Sequence, residues 1–388
     1  MRIMRALLAA VLLAATFTSM TSATGAPQAQ PPGKAPAKAA KKNPLLKLIE
    51  PWPSAEVLKK RRETAEALPL FANTEPVVVT LTADFKTLNK DRNPESEKRH
   101  PAELRVPGAA GAEVTLPVQL SARGHLRRMA RTCDYVPIRI EFPKDGRAGT
   151  VFARQEALKL IVQCVKGGEY EQFILKEYLA YRLHNVISPH RSFRARLARV
   201  NYVDKTTGQP AGTRLAMFLE DERDVAKRME GRIVKLPRLE FKDVDSDSLM
   251  PMMLHNYMIG NTDFSIYALH NVVLVERPDK SIHPVAYDFD ISGLVHPPYA
   301  APMRELMITS VRDRLYRGPC KRQEQIDPHI ANFVAKKDLV MALPATIPGL
   351  DKDSLKDVKE YLADFYSSIK STKDVKRLFV DCKDKTTM

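Results

Sequence analysis

The sequence predicts an α+β protein in two lobes, and three observations carry that expectation. Apolar and polar residues alternate with period two in several segments between residues 77 and 219, the mark of half-buried strands. One long segment with a helical apolar face, residues 170–183, interrupts them. Beyond residue 241 the pattern becomes mainly helical. Runs of strands followed by runs of helices indicate an α+β architecture. Residues 54–240 are therefore expected to form a lobe of antiparallel strands with one inserted helix. Residues 241–388 are expected to form a mainly helical lobe.

The chain opens with Arg2 and Arg5, an uncharged Leu- and Ala-rich run over residues 6–17, and small or hydroxyl residues over 18–26. That order reads as a cleavable signal peptide, residues 1–23, cut after Ala23. The alternative is an uncleaved anchor, for which the apolar run is short. No cysteine follows the run, so a lipoprotein anchor is not supported, and no second long apolar segment predicts a membrane span after cleavage. The expected location is therefore outside the cytoplasm, periplasmic or secreted. Residues 24–53 are rich in Ala, Pro and Lys and poor in aromatic and β-branched residues, the composition of a disordered basic linker. Part of the formal net charge of +15 lies in Lys34, Lys38, Lys41, Lys42 and Lys47 and in the following run Lys59, Lys60, Arg61 and Arg62. A solvated basic face accounts for that excess. With no zinc-finger spacing and no aromatic–basic RNA motif, specific nucleic-acid binding is not expected.

In chain order, a helix is expected over residues 54–67 with Ser54 as N-cap and Glu56 in its first turn. Strands are expected at 77–81, 113–122, 136–142 and 157–164, with a charged, Pro-containing surface loop at 91–101. Gly167 and Gly168 open the helix at 170–183. Strands at 195–204 and 213–219 follow, joined by a Gly/Pro turn. A helix at 248–259 and short strands at 271–276 and 283–288 come next, then mostly helix. Trp52, between two prolines, reads as an anchor for the N-terminal segment. The four cysteines Cys133, Cys164, Cys320 and Cys382 form no C-x-x-C pair, which speaks against zinc and thioredoxin-like chemistry. In an oxidising compartment they predict disulfides. The favoured pairing is Cys133–Cys164, joining neighbouring strands, with Cys320–Cys382, pinning the chain terminus.

Chemistry concentrates between Gly260 and Gly293. This stretch holds Asn261-Thr262-Asp263, then His270-Asn271, then Tyr287-Asp288-Phe289-Asp290. Asp263 follows a Met- and Leu-rich helix and is expected in a loop. Asn271 opens a strand and Asp288 closes another, and in an extended chain Asp288 and Asp290 point to one side. Two carboxylates and an Asn make a hard-oxygen site suited to Mg²⁺ or Mn²⁺. A carboxylate free of metal, such as Asp263, is placed to orient or deprotonate a hydroxyl. Phosphoryl transfer divides its labour in this way. Each residue alone would equally suit a helix cap or a turn. His255 and His270 lack metal-ligand spacing and read as structural.

The order N-T-D, H-N-V-V-L-V, P-V-A-Y-D-F-D resembles the C-lobe signature of the CotH family of secreted, atypical protein kinases. The resemblance spans about residues 116–294, and only residues 263–290 carry a fairly specific part of it. It implies a two-lobed protein-kinase-like fold, ATP or another nucleotide as cofactor with Mg or Mn, and a protein or cell-surface hydroxyl as substrate. Carried over by position, Asp263 would be the catalytic carboxylate and Asn271 with Asp288 the metal ligands, with Asp290 as an addition. Arg123-Gly124 looks like the family's R-G-N turn over the phosphates, and Lys176-Glu177-Tyr178-Leu179-Ala180 like its R-E-x-L-A helix, in which Glu177 would hold a phosphate-binding cation. Two departures stand out. His125 replaces the usual Asn, and Cys133-Asp134-Tyr135-Val136-Pro137 replaces a lysine pair. Lys159 is the first choice for the cation and Arg139 the second, while Arg127, Arg128 and Arg131 could meet phosphates instead but read more plainly as a solvated loop. Arg312 and its neighbours up to Cys320 read as a helix surface paired with Asp313. The departures leave a second reading, a catalytically inactive kinase-like envelope or secreted binding protein. A third is a metal-dependent transferase or hydrolase on an unrelated fold.

Overall fold

The computed structural model describes residues 49–108 and 111–382. The expected signal peptide and residues 24–48 of the expected linker lie outside the described residues. Ser54 caps helix α1 (Ala55–Glu66) by accepting a hydrogen bond from the Val57 N–H, as its sequence position predicts. Strands β1 (Val77–Ala83), β2 (His100–Pro107), β3 (Glu113–Ala122), β4 (Ile138–Glu141), β5 (Ala157–Val162), β6 (Ala195–Asp204) and β7 (Pro210–Leu219) follow, with a short helix α2 (Phe85–Lys90) after β1. The inserted helix is α3 (Gly168–Ile187).

These strands close into a barrel in the order β1-β2-β3-β4-β5-β7-β6. All neighbours pair antiparallel except β1 and β6, which run parallel from Val77↔Ala198 to Ala83↔Asp204. The expectation of a kinase-like two-lobed fold with an antiparallel N-lobe sheet is therefore overturned. The sheet is mixed and closed, because the first strand returns to pair with the sixth. Closure has a physical benefit: it removes the unpaired edges that an open sheet would expose. The interior is packed by one face of each strand. Val79 and Leu81 meet Leu104, Val118, Leu120, Ile140, Leu158, Leu160, Val200 and Phe218 there. Each such buried aliphatic side chain contributes about 1.5–3 kcal/mol.

The outer faces of β5, β6 and β7 are buried too. Ile161, Leu197, Met217 and Leu219 join α3 in a second core. That core continues through helix α4 (Glu222–Arg228), strand β8 (Arg232–Val234) and helix α5 (Ser246–Ile259). Helix α5 is buried from Ser248 to Ile259 except at Pro251, as an apolar sequence on nearly every side requires. Strands β9 (Val272–Glu276) and β10 (Ile282–Ala286) pair with β8 in a three-stranded antiparallel sheet of order β10-β9-β8. Helices α6 (Gln323–Ala335), α7 (Lys337–Ala342), α8 (Lys352–Ser368) and α9 (Thr372–Phe379) complete the unit.

Both disulfides pair as expected, Cys133–Cys164 and Cys320–Cys382, with Cα atoms 4.7 and 5.6 Å apart. They agree with an oxidising, exported setting. No helix among the described residues is long and apolar enough to cross a membrane. Trp52 does anchor the N-terminal segment, with the Arg232 guanidinium 4.3 Å from its ring centre. The surface loop expected at 91–101 gives way to β2 at His100, and Arg312 and Asp313 lie in irregular chain, not on a helix. Asp313 closes a turn, accepting from the N–H groups of Thr309 and Ser310.

Candidate functional site

Helix α5 ends at Gly260, whose φ of 65° is left-handed and whose Cα hydrogen faces Tyr361. The chain then turns through Asn261, which donates from its amide to Asn256 Oδ1 at 3.0 Å and accepts from the Asp263 N–H at 3.1 Å. Arg317, buried, donates to the carbonyls of Thr262 and Phe264 and braces the loop from behind. This fixes the Asp263 carboxylate. Its Oδ1 lies 2.9 Å from His270 Nε2, and its Oδ2 accepts from Asn271 Nδ2 at 3.0 Å. Paired backbone bonds between Ser265 and His270 hold the intervening turn. The hydrogen bond to Asp263 raises the His270 pKa against the opposing effect of burial.

Asn271 and Asp288 both adopt left-handed backbone, with φ of 52° and 63°. For residues that are not glycine such conformations cost of order 1 kcal/mol or more and cluster at functional sites. The extended path expected through Asp288 and Asp290 is thus corrected: β10 ends at Ala286 and the chain reverses at Asp288. The Asp288 N–H donates to Tyr181 Oη on α3 at 2.9 Å. The charge of Asp288 acts on Lys159, Glu177, Tyr181, His270, Tyr287 and Asp290, so this carboxylate stands at the centre of the assembly.

Asp290 lies deeper. It accepts from Tyr299 Oη at 3.1 Å and sits 3.8 Å from the Arg127 guanidinium. Burial, followed by the charge of Asp288, pushes its pKa up to about 6. Glu177 on α3 is 3.7 Å from the same guanidinium, and its Oε1 is buried without a hydrogen-bond partner. Burial first and Asp290 second hold its pKa well above the ordinary carboxylate range.

The cation beside Glu177 is therefore Arg127, not Lys159 or Arg139. Arg127 is buried, donates to the Val162 carbonyl, and lies on a short 3-10 turn that the Cys133–Cys164 bridge helps hold against the end of β5. Arg139 instead faces Glu141 and Asp221, at 3.7 and 3.4 Å. Lys159 stays in the assembly by another route. Its ammonium lies 4.0 Å from the centre of the Tyr287 ring, and burial, with Arg123 next, lowers its pKa to about 8. Arg123, on the turn after β3, acts electrostatically on both Lys159 and Glu177.

Asp263, Asn271, Asp288, Asp290, Glu177, Arg123 and Lys159 thus lie within reach of one another's bonds or charges, whereas Arg139 turns to Glu141 and Asp221. Sequence reasoning missed Arg127, His270, Tyr181, Tyr299 and Arg317. An arginine in a basic loop looks the same before folding whether it ends in solvent or between two carboxylates. Only His270, adjoining Asn271, carried a positional signal.

The donor set suits a hard divalent cation. Asp263, Glu177, Asp288 and Asp290 gather beside Arg123, Arg127, Lys159 and His270, and Glu177 Oε1 is buried without a hydrogen-bond partner. Asp288 and the Asn271 amide oxygen, with Asp290 at the edge, are the groups that would hold it. Among the described residues, no three His, Cys, Asp or Glu side chains form a ready-made metal cluster. Beside Tyr287 a cavity of about 270 Å³ opens against β8 and β9, lined by Ile233, Val234, Val272, Leu274, Glu222 and Lys235. No protein-family model matches the chain, and no curated protein is significantly similar to it.

Proposed function

We propose that this chain is an exported, metal-dependent phosphotransferase, periplasmic or secreted, that moves a phosphoryl group from ATP or another nucleotide to a hydroxyl of a protein or cell-surface substrate. The observation that carries the reading is the division of roles among the carboxylates. Asp263 is oriented by His270 and Asn271 and lies partly exposed, with 21% of its side chain accessible, whereas Asp290 is buried beside Arg127. The CotH-like order of these residues supports the same reading, without the kinase-like fold.

In the reaction Asp263 accepts the proton of the substrate hydroxyl. The hydroxyl oxygen forms a bond to the terminal phosphorus as the bond from that phosphorus to the bridging oxygen breaks. The nucleotide diphosphate leaves with that bond's electron pair. A bound Mg²⁺ or Mn²⁺ would neutralise charge on the phosphates. Lys159 and Arg123, close enough to act on each other and on the neighbouring carboxylates, would add positive charge there. The cavity beside Tyr287 has apolar walls and polar Glu222 and Lys235, a combination suited to a nucleoside base.

The test is transfer from labelled ATP with Mg²⁺ or Mn²⁺ by the purified mature protein. Asp263→Asn is expected to slow transfer by about 10²–10⁴ while leaving nucleotide-induced thermal stabilisation in place. No stabilisation by nucleotide and metal, together with an Asp288→Ala variant that behaves as wild type, would sink the proposal.

One observation favours a second reading, a binding protein without activity. Arg127 and Tyr299 fill the space between Glu177 and Asp290, leaving a cavity of only about 10 Å³. A tight partner retained by Asp263→Ala and Asp288→Ala variants would support it.

A further inference from the structure

A larger cavity, of about 640 Å³, shares no lining residue with the site above. Its walls come from α1, the end of α3 and the loop after it, the end of α4, the start of α5, and Arg277 at the end of β9. Four arginines line it, Arg62, Arg191, Arg228 and Arg277, against the carboxylates of Glu66, Glu230 and Asp247.

The arginines are unequally satisfied. Arg228 is buried and fully engaged with Glu220, at 2.9 Å. That same carboxylate also takes Arg194 at 2.7 Å, so one buried anion serves two guanidinium groups and the floor of the cavity stays positive. Glu230 is aimed into the cavity from a left-handed backbone, φ 53°, where α4 ends. It binds Arg62 at 2.8 Å and leaves Arg277 at 3.8 Å. Arg277 Nε is buried without any hydrogen-bond partner, which leaves this guanidinium the less satisfied of the two that meet Glu230. Arg191 has no side-chain hydrogen bond and no ion pair among the described residues.

We propose that this cavity is a binding site for a small molecule carrying an anionic oxygen group, a phosphate ester or a carboxylate, held by Arg191 and Arg277. The planar guanidinium fork matches both groups in bidentate fashion, and Arg277, whose side chain is 37% exposed and which Glu230 approaches only to 3.8 Å, can turn its terminal nitrogens to an incoming oxygen. The volume lies within the range that holds metabolite-sized ligands. The proposal stands independently of the phosphotransferase reading.

Calorimetric titration of the purified mature protein tests it, with inorganic phosphate in one arm and succinate in the other, and sodium chloride at matched ionic strength as the control for screening. Saturable binding of at least one probe above the chloride control is expected. Phosphate alone points to phosphate esters, and succinate alone to carboxylates. Arg277→Gln and Arg191→Gln should each weaken that binding at least tenfold or so. Arg322→Gln, at an exposed position outside the cavity, should leave it unchanged. Should Arg277→Gln fail to fold, Arg191→Gln decides, because its side chain makes no structural ion pair. Absence of saturable binding by both probes, or wild-type binding by Arg191→Gln, overturns the proposal.

Discussion

Replacing Asp290 by Asn should make the protein more stable at neutral pH, although it deletes a buried ion-pair partner. The magnitude follows from the displaced titration. In the unfolded chain this carboxyl ionises near its ordinary value of 3.8, and in the folded protein near 6. Below pH 3.8 the group is protonated in both states and costs nothing. Between 3.8 and 6 the folded state retains a proton that the unfolded chain gives up, so stability falls as pH rises. Above 6 the loss is complete, at about 3 kcal/mol for a displacement of about two units. The favourable pull of Arg127 is already contained in that displacement. Asn keeps the shape and still accepts from Tyr299, but carries no charge. Thermal unfolding followed by circular dichroism from pH 3.5 to 7.5 should place Asp290→Asn above wild type by about 5 °C at pH 7.5. The gap should close as pH approaches 3.8. Because burial, followed by the Asp290 charge, raises the Glu177 pKa as well, Glu177→Gln should move in the same direction. An Asp290→Asn protein less stable than wild type at pH 7.5, or a gap that does not vary with pH, would refute the reasoning. Added Mg²⁺ or Mn²⁺ is expected to narrow the gap from the wild-type side.

The converse change, Arg127→Met, leaves Glu177 and Asp290 facing each other without a cation, and should cost about 3–5 kcal/mol in urea unfolding at pH 7.5 and less at pH 4.5. Lys159→Met should stabilise the nucleotide-free protein by about 3 kcal/mol at pH 7. A lysine lowered to about 8 disfavours folding while it is charged, so that advantage should vanish as pH rises toward 10.5; thermal melts at both ends of the range check it. Gly260→Ala should lower the melting temperature severely, because its φ is left-handed and a Cβ would collide with Tyr361 Oη; adding Tyr361→Phe should recover part of the loss. Breaking Cys133–Cys164 by paired serine substitution should cost about 4 kcal/mol and also weaken nucleotide-induced stabilisation, since the crosslink holds the turn that carries Arg127.

Local pattern reached far in this chain. The strands at Glu113–Ala122 and Ala195–Asp204 have the bounds that the alternation marks, and the helix after Ser54 starts at its cap. These features depend on residues within one element, which the sequence displays directly. The cluster of Asp263, Asn271 and Asp288 was legible for a related reason: a short hairpin joins them, and the Tyr287 N–H to Asn271 carbonyl bond closes it. The disulfide pairing could be read because Cys133 and Cys164 flank the neighbouring strands β4 and β5, which leaves Cys320 to hold Cys382 near the chain terminus.

What the sequence could not settle is which strand lies beside which. A period of two tells which side chains face a core, and is silent on the neighbour and its direction. The parallel β1–β6 pairing that closes the barrel joins residues more than a hundred positions apart, and tertiary packing alone selects it. Arg127 obeys the same limit. Its partners Glu177 and Asp290 come from distant segments, and its charge reads as solvated until the turn beneath Cys133–Cys164 swings it inward. Sequence determined the carboxylates and their order. The tertiary structure decided which cation they face, because a buried charge finds its partner through space and not along the chain.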